Sequence, residues 1–270
     1  MNTTNKSNRI QQLFKTKKKN ILSIYFCAGA PTYDGTVDVI RTLEQEGVDM
    51  IEIGIPFSDP MADGTVIQQA ATQALHNGMS LRHLFSQLEH IREEVKIPLI
   101  LMGYLNPILQ FGFEHFCETC ATCGIDGVII PDLPLREYQL SYKAIADRHG
   151  IKVVLLITPE TSEERVRMID EQTNSFIYMV SSASTTGAQT SFNQEKEDYF
   201  TRINGMQLKN PRMIGFGISN YATFQSACEK AAGGIIGSRF VTLLQEMKDP
   251  KQAIQALKQR IAKPTKEMEG

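Results

Sequence analysis

Eight short apolar runs, each followed by a stretch with helical spacing, set the tightest limit on how this chain folds. The runs are residues 20–27, 50–53, 97–102, 127–131, 152–157, 175–180, 213–216 and 233–236. Helical periodicity follows at 34–45, 67–76, 81–94, 113–123, 137–148 and from Ser162 onward. Strands that alternate with helices call for a parallel sheet covered on both faces. Eight such units in 270 residues predict an α/β fold, a single (β/α)8 TIM barrel spanning 1–270. An open doubly wound sheet is the structural alternative. The barrel makes a sharper demand, because its functional residues must lie just after strands.

The second run carries an anomaly. In Ile51-Glu52-Ile53-Gly54-Ile55-Pro56-Phe57-Ser58-Asp59-Pro60-Met61-Ala62-Asp63-Gly64 an apolar strand holds a carboxylate and then breaks into a Pro- and Gly-punctuated loop with two more acids. A carboxylate in such a strand costs several kcal/mol unless it is paired, protonated or facing a cavity. Alternation places Met50, Glu52 and Gly54 on one face and Ile51 and Ile53 on the other. The Glu52 face is therefore expected to line a pocket.

Charge narrows the partners. With 28 basic and 30 acidic residues the formal charge is −2, which gives no electrostatic case for nucleic acid. No apolar run approaches the ~20 residues of a membrane span. Residues 1–19 hold no acid, and Ile10, Leu13 and Phe14 at helical spacing predict an amphipathic N-terminal helix that leads into a solvated turn, Lys15 to Lys19. Five cysteines without a secretory signal suggest free thiols in a reducing, cytoplasmic setting. Cys117, Cys120 and Cys123 have the spacing of part of an iron–sulfur motif, yet they sit in a helical pattern closed by Gly124 and have no fourth ligand nearby. Packed helical thiols explain them, and no metal site is expected. His76, His83 and His90 are read as helix-surface residues.

A second constellation follows the last three strands. Thr185-Thr186-Gly187, Gly215-Phe216-Gly217-Ile218-Ser219 and Gly237-Ser238 bring backbone N–H groups and helix starts to one end of the barrel, the arrangement that holds a phosphate. Arg239 either adds charge to this nest or turns outward on the following helix; the residues alone leave both open. Tyr25, Leu101, Tyr104, Ile129, Ile157, Tyr178 and Phe216, all near strand ends, are expected to form an apolar wall. Residues 181–193 form a long polar connection after the sixth strand and are expected to act as a mobile active-site loop. The combination points to a flat apolar substrate with a phosphate at one end and a carboxylate at the reacting centre.

The stretch from Glu52 to Gly64 resembles the signature of the tryptophan synthase alpha subunit. The likeness continues through Met102-Gly103-Tyr104-Leu105-Asn106-Pro107, Pro131-Asp132-Leu133-Pro134, Tyr178-Met179-Val180-Ser181, Gly215-Phe216-Gly217-Ile218-Ser219 and Gly237-Ser238, in order and over nearly the whole chain. That resemblance implies a lyase of tryptophan biosynthesis that cleaves indole-3-glycerol phosphate to indole and glyceraldehyde 3-phosphate by retro-aldol chemistry. It implies no cofactor in this subunit, with pyridoxal phosphate in a beta partner and an alpha2beta2 assembly. Glu52 matches the general acid and base, and Asp63 the acid that holds the indole N–H. Tyr178 matches a residue beside the substrate, Thr186 and Gly187 the closing loop, and Gly187, Gly217, Gly237 and Ser238 the phosphate site. Pro56, Phe57 and Asp59 match the partner-facing loop.

The chain departs from the family pattern in three places. Ser184 stands where Gly is common in the closing loop, Thr65 where Pro is frequent after Asp-Gly, and Ala30 where Asp is frequent in the first turn. Loss of the glycine at Ser184 is expected to alter the flexibility of the closing loop, while Thr65 and Ala30 do not touch the expected proton transfers. Two other readings stay open at this stage: a non-catalytic barrel that activates a beta subunit, and a different phosphate-binding barrel lyase or isomerase.

Overall fold

A computed structural model describes residues 8–181 and 194–263. Its centre is a closed barrel of eight parallel strands paired in chain order, β1 (Ile21–Cys27), β2 (Met50–Gly54), β3 (Leu99–Met102), β4 (Gly127–Ile129), β5 (Lys152–Ile157), β6 (Ile177–Val180), β7 (Arg212–Gly215) and β8 (Gly233–Ile236), with β8 returning to β1. This is the expected (β/α)8 architecture. The strands are buried nearly throughout because side chains pack on both faces, inward on the barrel interior and outward under the helices.

Helices fill the outer layer. An N-terminal helix, α1 (Arg9–Thr16), precedes β1, and α2 (Thr36–Gln45) follows it. After β2 come α3 (Thr65–His76) and α4 (Leu81–Leu88), after β3 α5 (Leu105–Phe111) and α6 (Phe113–Cys123), and after β4 α7 (Leu135–Glu137) and α8 (Lys143–Arg148). The set closes with α9 (Glu163–Gln172), α10 (Gln194–Gly205), α11 (Tyr221–Lys230), α12 (Ser238–Met247) and α13 (Pro250–Ala262). Local chemistry sets many of the ends. Asn8, Ser80, Ser162 and Asp249 cap α1, α4, α9 and α13 with side-chain oxygens, and Gly124 ends α6 in the left-handed region.

Several expectations need correction. The expected helix over 81–94 stops at Leu88 and resumes only as a 3-10 turn at Ile91–Glu93. There Arg92 leaves the helical path to donate to the carbonyls of Gly124, Val95 and Ile97 and to the Asp126 carboxylate. The helix expected over 137–148 is interrupted by a π turn at Tyr138–Tyr142. Strand three starts at Leu99 rather than 97, just after Pro98, which has no N–H to give to a ladder. The lysine turn is not simply solvated. Lys17 pairs with Asp49, Lys18 donates to the Phe14 carbonyl, and Lys19 donates to the carbonyls of Cys228, Glu229 and Ala231 at the end of α11. All five cysteines are buried and free, and Cys117, Cys120 and Cys123 lie on the packed side of α6.

Candidate active site

Register decides which strand residues face the barrel interior, since partners in adjacent parallel strands point the same way. Tyr25 pairs with Glu52, Glu52 with Ile100, Met102 with Ile129, Ile129 with Val154, Leu156 with Tyr178, and Val180 with Gly215. Glu52 thus shares the inner face with Tyr25, Gly54, Met102 and Tyr178. Leu101 pairs with Ile53, and Ile157 with Met179, one position out of phase with that set. These two residues face the helices and do not form the expected wall. Met102 and Leu156 hold the inward positions beside them. Ile129 does face inward, but it is fully buried and is not part of the cavity lining.

The cavity opens at the C-terminal end of the barrel and measures about 80 Å³. It is lined by Tyr25, Asp63, Ile67, Met102 and Tyr178 together with Phe216, Gly217, Gly237 and Ser238. Two glycines make room for its aromatic residues. A Cβ on Gly54 would collide with the Tyr25 hydroxyl, and one on Gly215 with the Tyr178 hydroxyl. The rings fold over these positions at the strand ends, and Tyr178 meets Phe216 edge-on at 6.2 Å.

Glu52 lies in the interior below this lining and has no solvent exposure. Its Oε1 accepts a hydrogen bond from Ser23 Oγ at 3.1 Å, while its buried Oε2 has no hydrogen-bond partner among the described residues. Burial raises the Glu52 pKa to about 8, against the lowering effect of the Ser23 hydroxyl. Asp63 is also raised by burial, to about 6, and Tyr104 opposes the shift by donating to Oδ2 at 2.8 Å. The Tyr104 oxygen in turn accepts from Ala62 N at 3.0 Å, so one phenol anchors the end of the 55–64 loop. Tyr104 therefore supports Asp63 from behind rather than lining the cavity. The two carboxyl groups hold different pKa values, so near neutral pH Glu52 is mainly protonated while Asp63 is mainly ionised.

The other half of the site is built from backbone. Phe216 and Gly217 both adopt positive φ, +67° and +76°, and the Ser181 hydroxyl fixes the turn by donating to the Phe216 carbonyl at 2.6 Å. Gly237 and Ser238 begin α12, whose first-turn N–H groups have no partner within the helix and favour an anion. Arg239 contributes to the lining, but burial lowers its pKa, and the charges that act on it are Arg260 and Glu246 of the helical layer. Thr186, Gly187 and, apart from Ser181, the rest of the expected 181–193 loop lie outside the described residues. Pro56, Phe57 and Asp59 sit on the β2–α3 loop, Pro56 buried, Phe57 partly exposed against the Tyr104 ring at 5.3 Å, and Asp59 exposed.

Ser23 was missed in the sequence reading. The signal was present, because it is the polar member of an apolar strand and shares the alternation of Tyr25. Among the described residues no cluster of His, Cys, Asp and Glu is placed to hold a metal.

The family model for the tryptophan synthase alpha chain matches residues 11–269. The chain belongs to the tryptophan synthase alpha chain family. It is 72% identical to the tryptophan synthase alpha chain of Bacteroides thetaiotaomicron over 251 residues, covering 93% of this chain and 98% of that one. With the alpha chain of Flavobacterium johnsoniae it shares 59% identity over 239 residues, 88% of this chain and 94% of the relative. Among solved structures, the alpha chain of Legionella pneumophila superposes with a TM-score of 0.83 at 33% identity, covering 94% of this chain and 97% of that one. A chain of tryptophan synthase from M. tuberculosis in its aminoacrylate-bound form gives 0.81 at 27% identity, covering 95% and 98%. As a tryptophan synthase alpha chain it is a lyase of tryptophan biosynthesis that cleaves indole-3-glycerol phosphate, and the family implies a beta-subunit partner. Among the described residues no helix is long and apolar enough to cross a membrane.

Proposed function

We propose that Glu52 carries both proton transfers of this cleavage and that Asp63 steadies the indole ring. Releasing indole requires a proton at its C3 and removal of a proton from the neighbouring hydroxyl of the glycerol chain. A carboxyl group with a pKa of about 8 is protonated at neutral pH and ready to donate. Once it has donated, the carboxylate is a base strong enough to take the hydroxyl proton as the carbon–carbon bond breaks and glyceraldehyde 3-phosphate forms. Asp63, ionised above about pH 6, accepts the indole N–H and stabilises the positive charge that develops on that nitrogen. The phosphate is assigned to the nest of Gly217, Gly237 and Ser238 together with Gly187, and Thr186 to the loop that closes over the substrate. Tyr25, Tyr178 and Phe216 supply the apolar surface for the ring.

The observation that carries this reading is the buried, inward-facing Glu52 with one unpartnered oxygen. Its chemistry calls for no cofactor in this subunit; pyridoxal phosphate belongs to the beta partner of a cytoplasmic alpha2beta2 assembly, which docks on Pro56, Phe57 and Asp59. Those residues precede Asp63 on one loop, so a partner seated there acts on the loop that positions Asp63. The test is indole release from indole-3-glycerol phosphate by the purified chain, with and without a beta subunit, beside Glu52→Gln. Release that rises with the partner and is lost in the variant supports the reading. A folded wild-type chain that binds the beta subunit yet releases no indole would instead be a non-catalytic activator.

A further inference from the structure

We propose that Ser23 is a positioning residue: its hydroxyl fixes Oε1 of Glu52 and so assigns Oε2 as the oxygen that exchanges protons with the substrate. The inference rests on the reading of Glu52 as the proton shuttle. Three observations carry it. Ser23 lies on β1 with no solvent exposure, on the same inner face as Tyr25, and its Oγ reaches Glu52 Oε1 at 3.1 Å. The other members of β1 are apolar apart from the Tyr25 hydroxyl, so a hydroxyl at Ser23 is costly unless it is paired. Glu52 Oε2 is equally buried and has no partner among the described residues.

Chemistry then distinguishes the two oxygens. An oxygen that accepts a hydrogen bond from Ser23 is the carbonyl-like oxygen of the neutral acid, so the acidic hydrogen resides on Oε2. When Oε2–H gives its proton to indole C3, the negative charge left on the carboxylate is stabilised by the serine O–H. Oε2 next takes the proton released by the substrate hydroxyl, which restores the starting acid. Ser23 keeps its own proton throughout, so the exchange balances within the Glu52 carboxyl group and the substrate. The same hydrogen bond opposes the burial that raises the Glu52 pKa and holds the group nearer to neutrality, where a shuttle works best.

The experiment measures kcat and KM for indole release across pH 6–10 in the complex with a beta subunit, for wild type, Ser23→Ala, Ser23→Thr and Glu52→Gln. Ser23→Ala is expected to lower kcat about tenfold, the scale of one hydrogen bond to a carboxylate, with KM little changed. Without its hydroxyl donor the Glu52 acid is weaker, so the alkaline limb of the profile moves to higher pH. Ser23→Thr, which keeps a hydroxyl at the same place, is expected to restore both kcat and the limb. Wild-type kcat with an unmoved limb in Ser23→Ala overturns the proposal. So does a fall in kcat with an unmoved limb and a lower melting temperature, which would make Ser23 a packing residue only. If Ser23→Ala does not fold, Ser23→Thr decides by the position of its limb. Glu52→Gln separates the two ideas: cleavage that survives in that variant removes the shuttle itself, whereas its loss beside an unchanged Ser23→Ala removes only the role of Ser23.

Discussion

Glu52 and Asp63 hold protons differently from free carboxylates, and each shift yields a signed expectation. Glu52 rises from 4.5 to about 8 on burial. Between those values the unfolded chain has released the proton that the folded chain keeps, so this group's contribution to stability declines as pH rises through the window. Glu52→Gln escapes that loss. The variant should therefore match wild type near pH 4 and exceed it at pH 8 by about 2 kcal/mol or more, read from urea midpoints at the two pH values, while indole release is lost. A variant less stable than wild type at pH 8 would show that the carboxyl is not held neutral. In the role proposed for Asp63 the working form is the anion, so activity should fall as pH drops through about 6. Tyr104→Phe removes the 2.8 Å bond that favours this anion and should move the acid limb of kcat/KM to higher pH; a limb that stays in place would mean that the phenol only anchors the loop. Asp63→Asn should lower turnover while phosphate affinity stays nearly intact, and unchanged turnover would leave Asp63 a loop residue. Glu52 stood out in the sequence because a carboxylate within an apolar strand is a rare pattern, whereas Asp63 was one of two acids in the following loop and was singled out only by the family resemblance. Leu101 and Ile157 were misplaced for the opposite reason: in strands apolar on both faces, alternation gives no sign of which face is inner, and only the register does.

At the scale of elements, α1 shows what local pattern reveals and what it hides. Its amphipathic spacing was legible, and Ile10 and Phe14 are buried as the pattern implies. Its anchoring was not legible, since the partners lie more than a hundred residues away. Arg9 donates to Asp126 Oδ1 at 3.1 Å, Arg92 to Oδ2 at 2.6 Å, and Leu99 N to Oδ2 at 3.0 Å, while Asn8 donates to the Asp126 carbonyl. One buried carboxylate thus joins α1, the break after α4 and the start of β3 at the end of the barrel away from the cavity. Replacing Asp126 by Ala leaves the half-buried Arg92 guanidinium without its counter-ion and the Leu99 N–H without its acceptor. The expected cost is about 3 kcal/mol or more, measured as a fall in the urea midpoint, with the pH profile of cleavage unchanged because no part of the site moves. A loss below about 0.5 kcal/mol would assign the network to the class of exposed pairs that contribute little.

The whole barrel depends on a seam that no local pattern announces. Alternation of strand and helix implies a parallel sheet, but closure requires β8 to return to β1, and the residues that permit it are glycines read at first only as part of a strand. Ile21 pairs with Gly233 and Leu22 with Gly234, and Ile21 N donates to the Ala232 carbonyl at 3.1 Å. A Cβ on Gly233 would fall on the backbone of Ile21, its carbonyl first, where no flexible side chain can yield. Gly233→Ala therefore forces two paired strands apart at the point where the ring closes, beside β7 on its other edge. The expected cost is about 3 kcal/mol or more, since relief requires backbone movement in three strands together. Gly205→Ala is the matched control. Its Cβ meets nothing within 4 Å at the end of α10, and the same substitution there should be neutral or stabilising by up to about 1 kcal/mol. Urea unfolding of both variants, followed by near-UV and far-UV signals, tests the claim. A Gly233→Ala midpoint equal to that of Gly205→Ala would show that the seam opens without cost, and a two-step transition confined to Gly233→Ala would show that the strands fold before the ring is closed.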